Sequence, residues 1–198
     1  MMRSTLMSLA AAGVLSGCAQ LASLAGIGQP DIIIDPSRTD ALHVSIPALG
    51  LRGFAERSAR NGDVVSWSMD DTVTIAVNQG VIVSTRGLGD DLMGADAKQS
   101  ISVANGAARG WAPRINGYMN GAYQSYFITF QCRRADARPS QITVGDRRQT
   151  VTQMTETCVN ETYKIENTYW RNGNGLVLKA HQWVSPAVGY LETTRLLR

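Results

Sequence analysis

Apolar and polar positions alternate with a period of two along much of the chain. Val65, Trp67 and Met69 alternate with Ser66 and Ser68, and Val73, Ile75 and Val77 alternate with Thr72, Thr74 and Ala76. Val81 and Val83 then lead to Thr85. Successive side chains of a strand point to opposite faces, so each run predicts a half-buried strand. Asn61-Gly62 suits a type I′ hairpin between residues 51–60 and 63–70, where both central residues need positive φ, and Asn78-Gln79-Gly80 closes the next pair. Further strands are predicted over 122–131, 141–144, 149–159, 161–170, 176–184 and 188–197, with Asn172-Gly173-Asn174-Gly175 as a second strong turn. Long stretches of period 3.6 are hard to find. The expected fold is all-β, an antiparallel meander of about ten strands that accumulated twist curls into a half-open or closed barrel. Its concave face either holds a ligand or is filled by side chains. Residues 88–113, rich in Gly, Ala and Asp, are the exception: a short helix or loop with strand character only at Ile101-Ser102-Val103.

The N-terminus carries a different pattern. Arg3 precedes an apolar run from Leu6 to Leu15, too short for the roughly twenty residues a membrane-spanning helix needs. A single positive charge, a short apolar core and small residues before Cys18 form an export signal. Leu15-Ser16-Gly17-Cys18 resembles the lipobox of bacterial lipoproteins, which implies cleavage before Cys18 and acylation of that cysteine. Two or more acyl chains give stable anchoring where one is marginal. Ala19 rather than Asp follows the cysteine, which favours the outer membrane where an aspartate retention rule operates. The expected organisation is a signal peptide over 1–17, a lipidated tether over 18–30 ending at Pro30, and a β-rich body over 31–198.

Composition agrees with a globular body: 198 residues with 44% hydrophobic and 18% charged content exclude a disordered or collagenous chain. The net charge is only +3, and the basic residues are interleaved with acids, so no nucleic-acid partner is expected. Three cysteines and two histidines cannot close a zinc site at this spacing, and no metal or cofactor is expected. With Cys18 used for lipidation, Cys132 and Cys158 remain in an oxidising compartment. A disulfide between them is the expectation, with two buried thiols or a redox pair as alternatives. Such a bridge stabilises by roughly 3 to 4 kcal/mol on the chain-entropy model.

Candidate chemistry is sparse. His43 and His181 sit in no catalytic motif, and His181 reads as a sheet-surface residue. Asp70-Asp71 reads as a turn. Asp90, Asp91 and Asp96 cluster in sequence, but glycosidase chemistry needs two carboxyls flanking one bond. No catalytic residue is assigned and the chain is read as a non-enzyme. Trp111, Tyr118, Trp170 and Trp183 are candidates for glycan contact, because aromatic rings stack on sugar faces; core packing is the competing reading. Arg133, Arg134, Arg138, Arg147 and Arg148 gather around Cys132 in sequence, with Asp136 and Asp146 between, and read as a solvated hairpin tip or a contact for an anionic polymer or lipid headgroups.

Three segments carry a family resemblance: Gly62-Asp63-Val64-Val65-Ser66-Trp67, then Val83-Ser84-Thr85-Arg86-Gly87-Leu88-Gly89-Asp90-Asp91-Leu92, and finally Asn167-Thr168-Tyr169-Trp170 with Gly175 and Gln182-Trp183-Val184-Ser185-Pro186. In their order and spacing they resemble the YjbF/GfcB family of group 4 capsule polysaccharide lipoproteins, over roughly Val44 to Leu197. Gly87, Leu88, Asp91 and Leu92 match a signature of that family whose role is open. The resemblance implies a β-rich lipoprotein on the periplasmic face of the outer membrane that assists assembly or export of a capsule or exopolysaccharide without catalysis. Its implied partners are the polysaccharide and secretion-system proteins. The alternative function is a carrier or assembly factor for lipids or outer-membrane proteins that uses the concave sheet, and that reading requires a large apolar groove.

Overall fold

The computed structural model describes residues 40–196, so the signal segment, the Cys18 lipidation site and the tether over 18–30 lie outside the described residues. Twelve strands follow in order: β1 (Ala41–Ile46), β2 (Leu51–Asn61), β3 (Val64–Met69), β4 (Val73–Asn78), β5 (Val81–Arg86), β6 (Asp91–Asp96), β7 (Ala112–Met119), β8 (Ser125–Val144), β9 (Arg147–Val159), β10 (Lys164–Asn172), β11 (Val177–Ser185) and β12 (Gly189–Arg195). One helix, α1 (Lys98–Ala104), separates β6 from β7. The strands form one sheet in the order β5-β4-β3-β2-β1-β12-β11-β10-β9-β8-β7-β6. Two antiparallel meanders, β1 to β5 and β6 to β12, are thus joined where β12 pairs with β1.

The two sheet edges, β5 and β6, are consecutive in sequence, and the sheet rolls until they meet, giving a nearly closed barrel. No backbone ladder links them among the described residues; side chains make the seam. Asp91 accepts hydrogen bonds from Thr85 Oγ1 (3.2 Å) and from the amides of Gly87 (2.9 Å) and Leu88 (3.0 Å). Thr85 Oγ1 in turn accepts from the amide of Leu92 at 2.9 Å. Further along β5, the amide of Ile82 donates to Gln182 Oε1 of β11, and its carbonyl accepts from Arg114 of β7. Buried edge groups that a ladder would pair are therefore satisfied by side chains, as buried backbone must be.

The turns fall near where they are expected, but the β2–β3 hairpin is shifted by one residue: Asn61 ends β2 and pairs with Val64, and of the expected Asn61-Gly62 pair only Gly62 has a positive φ, 57°. Asp70 and Asp71 both have positive φ, 48° and 55°, between β3 and β4, and Gln79 and Gly80 repeat this between β4 and β5 at 49° and 91°. At Gly87 the constraint is also steric: φ is +87°, and a β-carbon would lie 2.1 Å from the Thr72 carbonyl oxygen.

Other expectations need correction. β8 is one continuous strand of 20 residues where two short ones were expected. Arg133, Arg134 and Arg138 run along it opposite β9, and the hairpin turns at Gly145-Asp146, so only Arg147 and Arg148 flank a tip. Outward positions of a strand accept charge as readily as a turn does, which is why the sequence alone reads as a break. Ile101-Ser102-Val103 lies in α1, where Val103 and Ala104 are buried against Val81, Tyr169, Val177 and Ala180. β7 escapes the alternation rule because its polarity is inverted: Arg114 and Asn116 are buried while Pro113 and Ile115 are exposed.

Three apolar clusters hold the fold. The largest runs from Val44 and Ile46 through Trp67, Ile75, Leu92, Tyr118 and Phe130 to Trp183 and Leu191. A second surrounds α1. A third packs the far part of the β8–β9 hairpin, through Val144 and Val151, on Ala41, Leu178 and Leu196.

Candidate functional site

The concave face of the barrel is filled. Tyr118, Phe130 and Trp183 pack there edge to face, with ring centroids 5.5 Å apart for Phe130 and Trp183. Beside them runs a buried polar chain. Arg114 donates to Asn116 Oδ1 (3.1 Å) and Ser100 Oγ (2.8 Å), Asn116 Nδ2 donates to the Tyr118 hydroxyl (2.8 Å), and that hydroxyl donates to the Val184 carbonyl (2.8 Å). A second buried group centres on Glu156, whose Oε2 accepts from Asn167 Nδ2 (2.9 Å) and the Tyr169 hydroxyl (3.3 Å). Burial pushes the Tyr169 phenol well up, and the Glu156 carboxylate adds to the shift. Burial also raises Tyr118. These groups hold α1, β7 and β11 in register; with rings and a helix occupying the interior, the large apolar groove that a lipid carrier needs is not among the described residues.

Cys132 and Cys158 stand directly opposite each other on β8 and β9 and form a disulfide inside the main core. Glu156 lies close to both sulfurs, but the bridge uses them, and no metal-ligand set results. The acids singled out in the sequence are spent locally. Asp90 accepts from the Tyr126 hydroxyl at 2.6 Å, Asp91 clips the seam, and Asp96 lies at the surface within 4.0 Å of Lys98. They do not converge across a cleft. His181 stacks on Tyr190 with centroids 4.4 Å apart and contacts Glu192. His43 packs against Phe54, and burial, then Arg52, lowers its pKa.

The four candidate aromatic residues do not share an exposed face. Trp111 is 50% exposed at the start of β7, with the Arg133 guanidinium 4.9 Å above its ring. Tyr118 and Trp183 are core residues at 1% and 8% exposure. Trp170 packs in the third cluster under Lys179. Other exposed apolar side chains, Met93, Ile115 and Phe127, lie on the outside of β6 to β8.

A cavity of about 240 Å³ opens at one end of the barrel, with Leu42 of β1 in its wall. The β2–β3, β4–β5 and β10–β11 turns meet there with the end of α1. Arg57, Arg60 and Arg195 line it. The guanidiniums of Arg57 and Arg195 each lie 5.7 Å from the ring centre of Trp67. Both are ion-paired to Asp40, Arg195 at 3.1 Å. Across the cavity Asn105 donates to Gln79, which donates to Asp63. Sequence reading missed this group because residues 40, 57, 60 and 195 share no local motif; the β1–β2 and β1–β12 pairings, with Leu42 opposite both Ala55 and Arg195, bring them together.

Residues 42–196, the whole barrel, match the model of the YjbF family, described as group 4 capsule polysaccharide lipoprotein GfcB/YjbF. The chain belongs to this family. Among solved structures this YjbF-family barrel is similar to the crystal structure of the hypothetical lipoprotein YmcC from Escherichia coli K12, with a TM-score of 0.64 and 17% sequence identity over 80% of this chain and 87% of that one. That likeness shows the fold. A search of curated proteins gives no match.

The segment holding Gly87, Leu88, Asp91 and Leu92 closes the barrel seam in this YjbF-family chain. Gly87 supplies the left-handed corner against Thr72, Asp91 accepts the two turn amides, and Leu88 and Leu92 enter the main core beside it.

Proposed function

We propose that this protein is a lipid-anchored, non-enzymatic component that assists assembly or export of a capsule or exopolysaccharide from the periplasmic face of the outer membrane. The observation that carries the reading is the family match across the entire described barrel. The lipobox at Leu15-Ser16-Gly17-Cys18 supports the anchor, and Ala19 supports the outer membrane as its address. A filled interior and locally engaged acids support work by contact rather than by catalysis.

The test is deletion of the gene in its host, with complementation by the wild-type chain and by Cys18→Ser. Surface polysaccharide is expected to fall on deletion, to return with the wild type, and to return incompletely with C18S. Unchanged surface polysaccharide in the deletion strain overturns the proposal.

A further inference from the structure

We propose that the arginine-lined cavity at the barrel mouth binds a single carboxylated sugar unit, its carboxylate taking the place that Asp40 holds on Arg57 and Arg195. This rests on the polysaccharide reading above and names the ligand class for one site.

The cavity is chemically arranged for such a group. Two guanidiniums converge on one carboxylate, the pairing whose planar fork suits carboxylates best. Arg195 reaches Asp40 through Nη2, while its Nε is buried away from the cavity. Arg60 stands nearby with only its Nε engaged, on the Gly62 carbonyl. The opposite wall offers Gln79, Asn105 and Asp63, amide and carboxylate groups that suit vicinal hydroxyls, while Val77 and Leu176 supply apolar surface for ring C–H groups. A volume of about 240 Å³ falls below the range typical of drug-sized pockets, which fits one ring and not a longer stretch of polymer.

Asp40 is an exchangeable occupant. Its φ of +71° is left-handed, a conformation that Asp adopts more readily than most L-residues. Asp40 and Arg57 are 39% and 38% exposed, and ion pairs at such exposure are weak because water screens them. An external carboxylate that also makes ring contacts is therefore able to displace it.

The experiment is an NMR titration of the mature lipoprotein in detergent, following the Trp67 indole N–H signal with D-glucuronate, D-glucose and acetate. Glucuronate is expected to shift that signal saturably, glucose not to shift it, and acetate to act only at concentrations about tenfold higher. Arg60→Ala should weaken glucuronate about fivefold or more, and Asp40→Asn should tighten it by a similar factor. Equal responses to glucose and glucuronate, acetate as potent as glucuronate, or no effect of R60A overturns the site; failure of D40N to tighten binding overturns the displacement of Asp40. A chain carrying R57A, R60A and R195A that still binds glucuronate as the wild type does overturns this inference alone and leaves the broader reading standing. A deletion strain with normal polysaccharide overturns the broader reading whatever the titration gives.

Discussion

Arg114 and Arg195 place the same side chain in opposite settings at two levels of one barrel. Arg114 is buried at 3% exposure and all three of its guanidinium nitrogens have protein acceptors: Asn116, Ser100 and the Ile82 carbonyl. Arg195 is partly exposed, shares one aspartate with Arg57, and keeps an Nε without an acceptor. A buried guanidinium is tolerated only when its donors are satisfied, so Arg114 can do nothing except hold the structure. The rim pairs of Arg57 and Arg195 with Asp40 are partly exposed and hold weakly, so those partners are free to exchange. Residue type alone does not separate structural from binding arginines in this chain; the state of their donors does.

The comparison breaks most visibly at Arg114. Arg114→Met is expected to lower unfolding free energy by about 3 kcal/mol or more, because Ile82, Ser100 and Asn116 lose their donor in a dry interior. Urea denaturation monitored by Trp fluorescence measures it. A loss under about 1 kcal/mol would mean that the interior is wet enough to replace the guanidinium, and the contrast with the rim would disappear.

A second consequence of the dry interior concerns protons. Burial raises the phenols of Tyr118 and Tyr169 above their ordinary value of 10.0, with Glu156 adding to the shift for Tyr169. The folded state then keeps protons that the unfolded chain releases above pH 10, so stability is complete below that pH and falls as pH rises through and beyond it. Each phenol contributes at most about 1.4 kcal/mol per pH unit. Denaturation midpoints measured from pH 9 to 11 should drop above 10, and Tyr118→Phe should flatten the slope. A profile that stays level to pH 11 contradicts a water-excluded network.

How far the sequence reaches into this picture depends on whether a feature is local. Asp70-Asp71 and Gln79-Gly80 are legible as turns because the backbone demand is met by adjacent residues, whereas the turn expected at Asn61-Gly62 falls one residue later, at Gly62-Asp63. β3, β4 and β5 are legible because their buried faces are apolar. β7 is not, because Arg114 and Asn116 point inward and Ile115 outward, and nothing local announces that the interior there is polar. The disulfide could be anticipated by counting cysteines, whereas its placement directly across β8 and β9 required the length of β8 to be known. The aromatic residues were visible, but their separation into the exposed Trp111 and the buried Tyr118 and Trp183 depends on the curl of the whole sheet. The mouth arginines were out of reach for the same reason, since the β1–β2 and β1–β12 pairings assemble them and the second joins opposite ends of the body.

The smallest expected effect sharpens the comparison most. Arg60 is exposed, and its one hydrogen bond is local, to the Gly62 carbonyl two residues further on. Removing it leaves no buried group without a partner, so Arg60→Ala should change unfolding free energy by no more than about 0.5 kcal/mol, the usual range for surface substitutions. If rim arginines serve a ligand, the same variant must lose glucuronate affinity while its denaturation curve overlays the wild type. Arg114→Met gives the opposite pattern only if the interior guanidinium serves the fold. A variant of Arg60 that destabilised the barrel by more than about 1 kcal/mol would place it with Arg114 as a structural residue and remove the distinction between the two levels.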